Sequence, residues 1–119
     1  MTVVSVYAIF ADAEEAERIG RQMVEERLAA CINILGPCRS IYRWQGAVET
    51  ADEAAAILKT SRAMADALIA RIAELHSYDV PCVTVWPIDK LLVDYAEWIE
   101  GSVGQAGAGL TSPTKNVTD

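Results

Sequence analysis

The chain has 119 residues, of which 52% are hydrophobic and 23% are charged. This length and composition predict a single globular domain and exclude a disordered chain, which would lack the apolar residues for a core. Ten Lys and Arg against seventeen Asp and Glu give a net charge of −7. That balance disfavours nucleic acid and anionic membrane surfaces as partners, because proteins bind both through positively charged Lys and Arg side chains.

The cysteines Cys31, Cys38 and Cys82 indicate a reducing compartment. Their number is odd and no CxxC pair is present, so neither a complete set of disulfides nor a zinc ribbon is expected within one chain. No apolar run approaches the roughly 20 residues of a membrane-spanning helix, and the N-terminus has no Lys or Arg of a signal peptide. We therefore expect a cytoplasmic protein.

The first quarter of the chain predicts a strand followed by a helix. Residues 2–11 are rich in β-branched and aromatic side chains, which is typical of a buried strand. Residues 12–29 carry an apolar stripe at helical spacing. Asp12 can cap this helix, and Glu15 follows three residues later, as in a capping box.

A long β-hairpin is predicted next. Residues 31–44 form a strand that the Gly-Pro pair at 36–37 interrupts, because proline cannot donate to a strand ladder and marks a bulge or an edge. The following Gln-Gly pair is typical of a hairpin turn. Residues 47–60 return as the second strand, although the Ala-rich sequence AAAILKT near its end leaves a helix as an alternative.

Three further elements are predicted in the second half of the chain. They are a helix over residues 61–76, a strand over residues 80–88 and a short amphipathic helix over residues 90–100. From Gly101 the sequence becomes rich in glycine and in small or polar residues. Residues 1–100 are therefore predicted to form one domain and residues 101–119 a flexible C-terminal tail.

The element order β-α-β-β-α-β predicts a ferredoxin-like α+β fold, with two helices on one face of a four-stranded antiparallel sheet. Both faces of the first strand are mostly apolar. One face carries Val3, Ser5, Tyr7 and Ile9, and the other carries Val4, Val6, Ala8 and Phe10. The last strand adds Val83 and Val85. Because two helices cover only one face, we expect another copy of the chain to cover the second.

Five segments together resemble the CutA divalent-cation tolerance family. They are residues 26–34 (ERLAACINI), 40–46 (SIYRWQG) with Glu49 following, 57–60 (ILKT), 76–81 (HSYDVP) and the Tyr95-x-x-Trp98-Ile ending. The resemblance runs over residues 3–100 in order. Ser77 and Asp79 stand where the family usually has Pro and Glu, and Cys82 stands where it often has Glu.

The resemblance implies a homotrimer of ferredoxin-like subunits that takes part in tolerance of divalent cations. It also implies weak binding of copper or another divalent cation, with no cofactor required and no enzymatic activity. Such a trimer is similar to the PII signalling proteins, which bind small metabolites between subunits. A PII-like module with a metabolite cleft is therefore the alternative function, and a scaffold for another protein is a third.

The candidate metal ligands are His76, Cys82, Cys38 and Glu49. Imidazole suits copper and zinc, thiols suit soft ions such as Cu(I), and carboxylates suit hard cations. Each residue has an ordinary alternative. A histidine at a helix C-terminus favours the helix dipole, a cysteine can be a small buried hydrophobe, and Glu49 can belong to a solvated hairpin end.

A small-molecule cleft is predicted from aromatic residues around the hairpin and the last strand. Its candidate residues are Tyr42, Trp44, Tyr78 and Trp86, with Lys59 as a polar contact on an otherwise apolar strand. Packing between subunits is the alternative for the aromatic side chains. The sequence contains no GxSxG, no HExxH and no glycine-rich phosphate loop, so no catalytic activity is expected.

Overall fold

In the computed structural model, which describes residues 2–104, an antiparallel sheet is combined with three helices. The elements are β1 (Val3–Phe10), α1 (Ala13–Glu25), β2 (Cys31–Trp44), β3 (Ala47–Ser61), α2 (Arg62–Leu75), β4 (Val83–Pro87) and α3 (Val93–Ser102). The four strands lie in the order β2-β3-β1-β4. The predicted element order and the antiparallel α+β sheet are confirmed.

The core lies between one face of the sheet and the helices α1 and α2. The side chains of β1 on this face are completely buried; they are Val4, Val6, Ala8 and Phe10. Val83 and Val85 of β4 pack against the same cluster. Helices of the same chain therefore cover this face, and the expected cover of the second face by another copy stays a prediction. The homotrimer itself stays a prediction.

The opposite face of the sheet is covered in part by α3 and by an aromatic stack. Ile99 of α3 is completely buried in a second cluster with Val3. Tyr7 of β1 stacks on Trp86 of β4, with 4.7 Å between ring centroids. This face is thus more polar and more open than the face under α1 and α2.

Helix α1 begins as the sequence predicts and ends earlier. The Asp12 carboxylate accepts the amide N–H of Glu15 at 2.8 Å, which confirms the N-cap. The helix stops at Glu25 because Arg27 adopts a left-handed backbone with φ 63°. The amides of Arg27 and Leu28 then donate back to carbonyls of the last turn, as in a Schellman motif.

The β2–β3 hairpin is the longest feature of the molecule. Gln45 and Gly46 both have positive φ, so the predicted two-residue turn is confirmed with the backbone of a type I′ hairpin. The predicted bulge lies between Ile34 and Gly36. Pairing of β3 with β1 ends at Phe10 and Ala54, and the hairpin continues beyond it. We call this two-stranded extension, residues 38–53, the hairpin arm.

The AAAILKT segment is strand, as predicted, so the helix that was left open as an alternative is wrong. Several boundaries differ from the prediction. Strand β4 starts at Val83 rather than residue 80, since Pro81 has no N–H for the ladder. Helix α3 runs from Val93 to Ser102, so the predicted tail range begins inside it; residues 105–119 lie outside the described residues.

The end of α3 is fastened to the turn after α1. The Arg27 guanidinium donates to the Gly101 and Gly104 carbonyl oxygens at 3.3 and 3.2 Å. The Gly104 amide donates in return to the Arg27 carbonyl oxygen at 2.9 Å. Within residues 2–104, no helix has the length and apolar character that crossing a membrane requires.

Candidate functional site

A cavity of about 530 Å³ lies between the hairpin arm and the loop that joins α2 to β4. Small-molecule sites have volumes of roughly 300–1,000 Å³. The lining residues are Ile9, Ser40, Tyr42, Arg43, Trp44, Glu49, Glu53, Tyr78, Asp79, Val80 and Cys82. Aromatic and apolar side chains thus share the walls with three carboxyl groups and one guanidinium.

His76 holds the loop side of the cavity to the sheet. Its Nε2 lies 2.8 Å from the Ile9 carbonyl oxygen, and its Nδ1 accepts the Tyr78 amide N–H at 3.0 Å. Because the amide is the donor to Nδ1, the proton of the neutral ring is on Nε2. The buried ring also stacks on Phe10 at 5.3 Å. Neither nitrogen of this ring has a lone pair free for a metal ion.

Glu15 supports the same loop from the start of α1. Its buried carboxylate accepts the amide N–H groups of Ala11 at 2.8 Å and Ser77 at 2.9 Å. Burial alone would raise the pKa of Glu15, but these hydrogen bonds outweigh it, and the pKa is lowered. The capping-box residue therefore connects helix α1 to the loop beside the cavity.

Glu53 is the buried acidic residue in the lining of the cavity. Its side chain is only 9% exposed, and its Oε2 accepts the Tyr78 hydroxyl at 2.6 Å. Burial, and then the bond to Glu53, raise the pKa of Tyr78. Among residues 2–104 no donor reaches the other carboxylate oxygen, Oε1. Glu53 is therefore a buried residue with an unused acceptor, in a cavity whose other lining residues are mostly exposed.

Cys82 lines the cavity beside this carboxyl group, and Cys38 lies nearby. Burial raises the pKa of the Cys82 thiol, and the charge of Glu53 raises it further. The pKa of Tyr7 is also raised, first by burial and then by the charges of Cys38 and Cys82. Cys38 contacts the Ser40 hydroxyl at 3.9 Å and does not line the cavity.

The structure brings five of the nine predicted site residues to this one cavity. They are Glu49, Cys82, Tyr42, Trp44 and Tyr78. The other four lie outside its lining, and they are His76, Cys38, Lys59 and Trp86. The predicted metal and cleft residues are therefore not two separate sites, because members of both sets face the same space.

Lys59 and Trp86 lie on strands and do not reach the cavity. Lys59 is on β3, paired with Ser5 on one side and Cys31 on the other. The Trp86 indole N–H donates to the Thr84 hydroxyl at 3.0 Å, and its ring stacks on Tyr7. These residues belong to the open face of the sheet.

Glu53 is not among the nine predicted site residues. The sequence groups it with Glu49 and Asp52 in an acidic cluster after the hairpin, which predicts either ligands for a hard cation or a solvated end of the hairpin. The alternation of side chains along β3 separates it from Asp52. Asp52 is exposed and pairs with Arg39 at 3.0 Å, whereas Glu53 comes directly before the buried Ala54. A carboxylate next to an apolar run was the available signal. Arg43 and Asp79 were also missed, and exposed charged positions gave no comparable signal.

No three His, Cys, Asp or Glu side chains within residues 2–104 lie close enough together to hold a metal ion. A divalent cation usually requires several oxygen, nitrogen or sulfur ligands at once. The cavity of one chain therefore offers isolated ligands and not a complete coordination sphere.

The fold and the acidic, aromatic cavity define a small α+β protein with a candidate ligand site. The sequence matches the family described as CutA1 divalent ion tolerance protein over residues 4–102. A divalent-cation tolerance protein CutA from Pyrococcus horikoshii is 40% identical over 97 residues, covering 82% of this chain and 94% of its own.

Two solved structures share the fold. CutA1 from Oryza sativa superposes with a TM-score of 0.85 at 34% identity, over 89% of this chain and 97% of its own. The Archaeoglobus fulgidus CutA, described as a periplasmic divalent cation tolerance protein, has a TM-score of 0.83 at 35% identity, over 86% and 99% of the two chains. This chain belongs to the CutA1 divalent ion tolerance protein family.

Proposed function

We propose that this chain contributes to tolerance of divalent cations by binding them weakly, without catalysing a reaction. The observation that carries the proposal is the lining of the cavity. It includes three carboxyl groups and one thiol, those of Glu49, Glu53, Asp79 and Cys82. Carboxylates attract cations, and a thiolate favours copper. Family membership supports the same function.

Weak binding follows from the geometry of the single chain. The ligands are not gathered into a group of three within residues 2–104. The raised pKa of Cys82 disfavours the thiolate, which is the form that binds metal. A cation that uses Cys82 must displace a proton, so its uptake should increase with pH.

We propose that three copies of this ferredoxin-like subunit assemble, and that a neighbouring copy completes the cation site. The hairpin arm supports this, since Ile41 is 72% exposed and Val48 is 63% exposed on a two-stranded extension. Strands β2 and β4 are the edges of the sheet, and unpaired edges are usually covered or protected. Trp44 adds an exposed aromatic side chain to the arm.

Native mass spectrometry tests assembly and cation binding together. The metal-free protein is measured first, and the same sample is then titrated with Cu(I), Cu(II) or Zn(II). We expect a trimer that takes up whole ions, and we expect Cys82→Ser and Glu49→Gln to reduce the uptake. Cys31→Ser is the matched control, because Cys31 is the first residue of β2, at the end away from the hairpin arm. Its thiol contacts the Tyr95 hydroxyl and not the cavity.

The proposal fails if the wild-type protein retains no ion above a buffer control at any pH tested. It also fails if Cys31→Ser lowers the uptake as much as Cys82→Ser, since the cavity would then not be the site. A bare monomer would contradict the assembly.

We infer a cytoplasmic location from the thiols. Cys31, Cys38 and Cys82 are all free, and free thiols persist in reducing compartments. Cell fractionation with alkylation of the three cysteines tests this location. Oxidised thiols in an extracytoplasmic fraction would contradict it.

A further inference from the structure

We propose that the cavity binds a small organic ammonium ion, with an N–H group on Glu53 and an apolar body against the aromatic walls. This ligand is distinct from the divalent cation considered above, and its binding does not depend on that proposal. Three observations carry it: the unused oxygen of Glu53, the aromatic lining and the size of the cavity.

Glu53 defines the charge and the hydrogen bond of the ligand. The residue is only 9% exposed, and the Tyr78 hydroxyl occupies only Oε2. Oε1 has no donor among residues 2–104. A buried carboxylate oxygen without a donor is unfavourable, and a charge-assisted N–H bond is the strongest way to satisfy it. A ligand ammonium group supplies both the donor and the compensating positive charge.

The Tyr78 hydroxyl fixes the direction in which Glu53 can bind. The hydrogen bond from the Tyr78 hydroxyl to Oε2, 2.6 Å between the two oxygens, holds one oxygen of the carboxylate in place. The backbone of Tyr78 is in turn held by the hydrogen bond that its amide N–H donates to His76 Nδ1. The acceptor is therefore arranged before a ligand arrives, which lowers the cost of binding.

The walls indicate an organic ion and not a bare metal ion. Tyr42, Trp44 and Tyr78 line the space together with Ile9 and Val80. The faces of aromatic rings attract ammonium groups, and apolar side chains favour a hydrocarbon body. A volume of about 530 Å³ is far larger than one ion needs, and it is ordinary for a small organic ligand.

The remaining charges of the cavity favour the same sign of ligand. Glu49 and Asp79 add carboxyl groups at its rim, and Arg43 is the guanidinium among the lining residues. Carboxyl groups thus outnumber cationic groups by three to one in the lining. An anionic metabolite would meet this excess of negative charge and the buried Glu53, which makes it the disfavoured ligand.

Two-dimensional amide NMR of the full chain in its native assembly, with EDTA present, tests the proposal. Three ligands of matched shape are compared: phenethylammonium, the neutral phenethyl alcohol and the anionic hydrocinnamate. We expect phenethylammonium to shift the amides of the 77–82 loop and the hairpin arm. Its Kd should be at least about tenfold lower than that of the alcohol, and the anion should not bind. Its quaternary trimethyl derivative, which lacks an N–H, should bind more weakly.

Two charge-neutralising variants locate the contact. Glu53→Gln keeps the shape of the side chain and should reduce the preference for the ammonium over the alcohol to within about twofold. Asp52→Asn is the matched control, since it removes the carboxylate of the residue next to Glu53, and the side chain of Asp52 is 79% exposed. This control should leave the preference unchanged.

Equal affinity for the ammonium and the alcohol would overturn the proposal, as would a Glu53→Gln variant that keeps the preference. Absence of binding would overturn it too, because a neighbouring copy or the protein itself then fills the space. If Glu53→Gln fails to fold, the comparison of ligands on the wild-type protein still decides. Because EDTA removes metal ions, these outcomes do not depend on the cation titrations.

Discussion

Strand β3 passes through two regions of the molecule that differ in almost every physical respect. Its second half, from Ala54 onwards, lies in the sheet centre beside β1, and Leu58 there is completely buried. Its first half belongs to the hairpin arm, where Val48 is 63% exposed. One region excludes water on a helix-covered face, and the other displays apolar and charged side chains to the outside. Stability and recognition are therefore separated along a single strand.

The cavity lies where these two regions meet. Its buried member, Glu53, is the last residue of the arm, and Ile9 belongs to the sheet centre. A rigid support on one side and an exposed arm on the other are typical requirements of a binding site. If this separation is correct, substitutions in the two regions should differ strongly in their effects on folding.

The largest effect is expected from Phe10→Ala in the sheet centre. Phe10 is completely buried and stacks on His76, so its removal leaves a cavity in the core. We expect the free energy of unfolding to fall by about 3–5 kcal/mol. Chemical denaturation at one fixed protein concentration measures this, because assembly makes stability depend on concentration.

The matched substitution in the arm is Ile41→Ala. Ile41 is 72% exposed, and exposed substitutions usually change the free energy of unfolding by less than about 0.5 kcal/mol. A loss as large as that of Phe10→Ala, measured on the dissociated chain, would contradict the separation of the two regions. A loss seen only in the assembled protein would assign the arm to the interface.

An effect smaller than that of Phe10→Ala but larger than that of Ile41→Ala is expected from Glu15→Gln at the loop that supports the cavity. The substitution weakens two amide hydrogen bonds to a buried carboxylate, and we expect a loss of about 1.5–3 kcal/mol at neutral pH. The pKa of Glu15 is lower in the folded state than its ordinary value of 4.5. Its contribution is therefore present above that value and is lost as the pH falls through the folded-state pKa.

Denaturation over a series of pH values checks the sign of this effect. The wild-type protein and Glu15→Gln should converge in stability as the pH falls below 4.5. Curves that remain parallel through the acid range would show that the charge of Glu15 does not act as described. Glu14→Gln, an exposed neighbour in the first turn of α1, is the control.

At the cavity itself, Tyr78→Phe should lower the free energy of unfolding by about 1 kcal/mol, because it removes the hydroxyl donor to Glu53. Burial, and then this same contact, raise the pKa of Tyr78 above its ordinary value of 10.0. Glu53→Gln should lower that pKa, and an alkaline titration followed by the NMR signal of the phenol ring measures the change. An unchanged pKa would mean that burial alone causes the shift.

A small effect, comparable with that of Ile41→Ala, is expected at the exposed ion pair of the arm. Arg39 and Asp52 lie 3.0 Å apart, with side chains 68% and 79% exposed. Such pairs contribute about 0.2–1 kcal/mol at most and are screened by salt. Arg39→Ala should therefore be close to neutral, and any effect should disappear at high ionic strength. A larger loss that persists in salt would assign Arg39 to a contact between subunits.

Much of the fold could be predicted from the sequence, because the strong signals were local. The helix N-cap at Asp12 and the hairpin turn at Gln45-Gly46 each depend on only a few neighbouring residues, and both predictions were confirmed. The end of α1 was missed because its left-handed residue is Arg27 and not a glycine. The first residue of β4 was missed although a local signal was present, since Pro81 has no N–H for the ladder and the strand starts after it, at Val83.

The candidate site was only partly predictable. Aromatic residues near the hairpin indicated a cleft, and Tyr42, Trp44 and Tyr78 do share one cavity. His76 was predicted as a metal ligand from its chemistry alone. The structure shows that both ring nitrogens have partners in the backbone, a fact that depends on where α2 ends relative to β1.

The turn at Gln45-Gly46 also has a consequence for the order of folding. Every pairing between β2 and β3 can propagate outward from this turn by adding neighbouring residues, and such local closure takes microseconds. Pairing of β1 with β4 joins opposite ends of the chain, from Val4 to Pro87, and must wait for the chain to collapse. A two-stranded hairpin is only marginally stable alone. The hairpin is thus expected to appear first as a transient nucleus, which becomes permanent when β1 docks against β3.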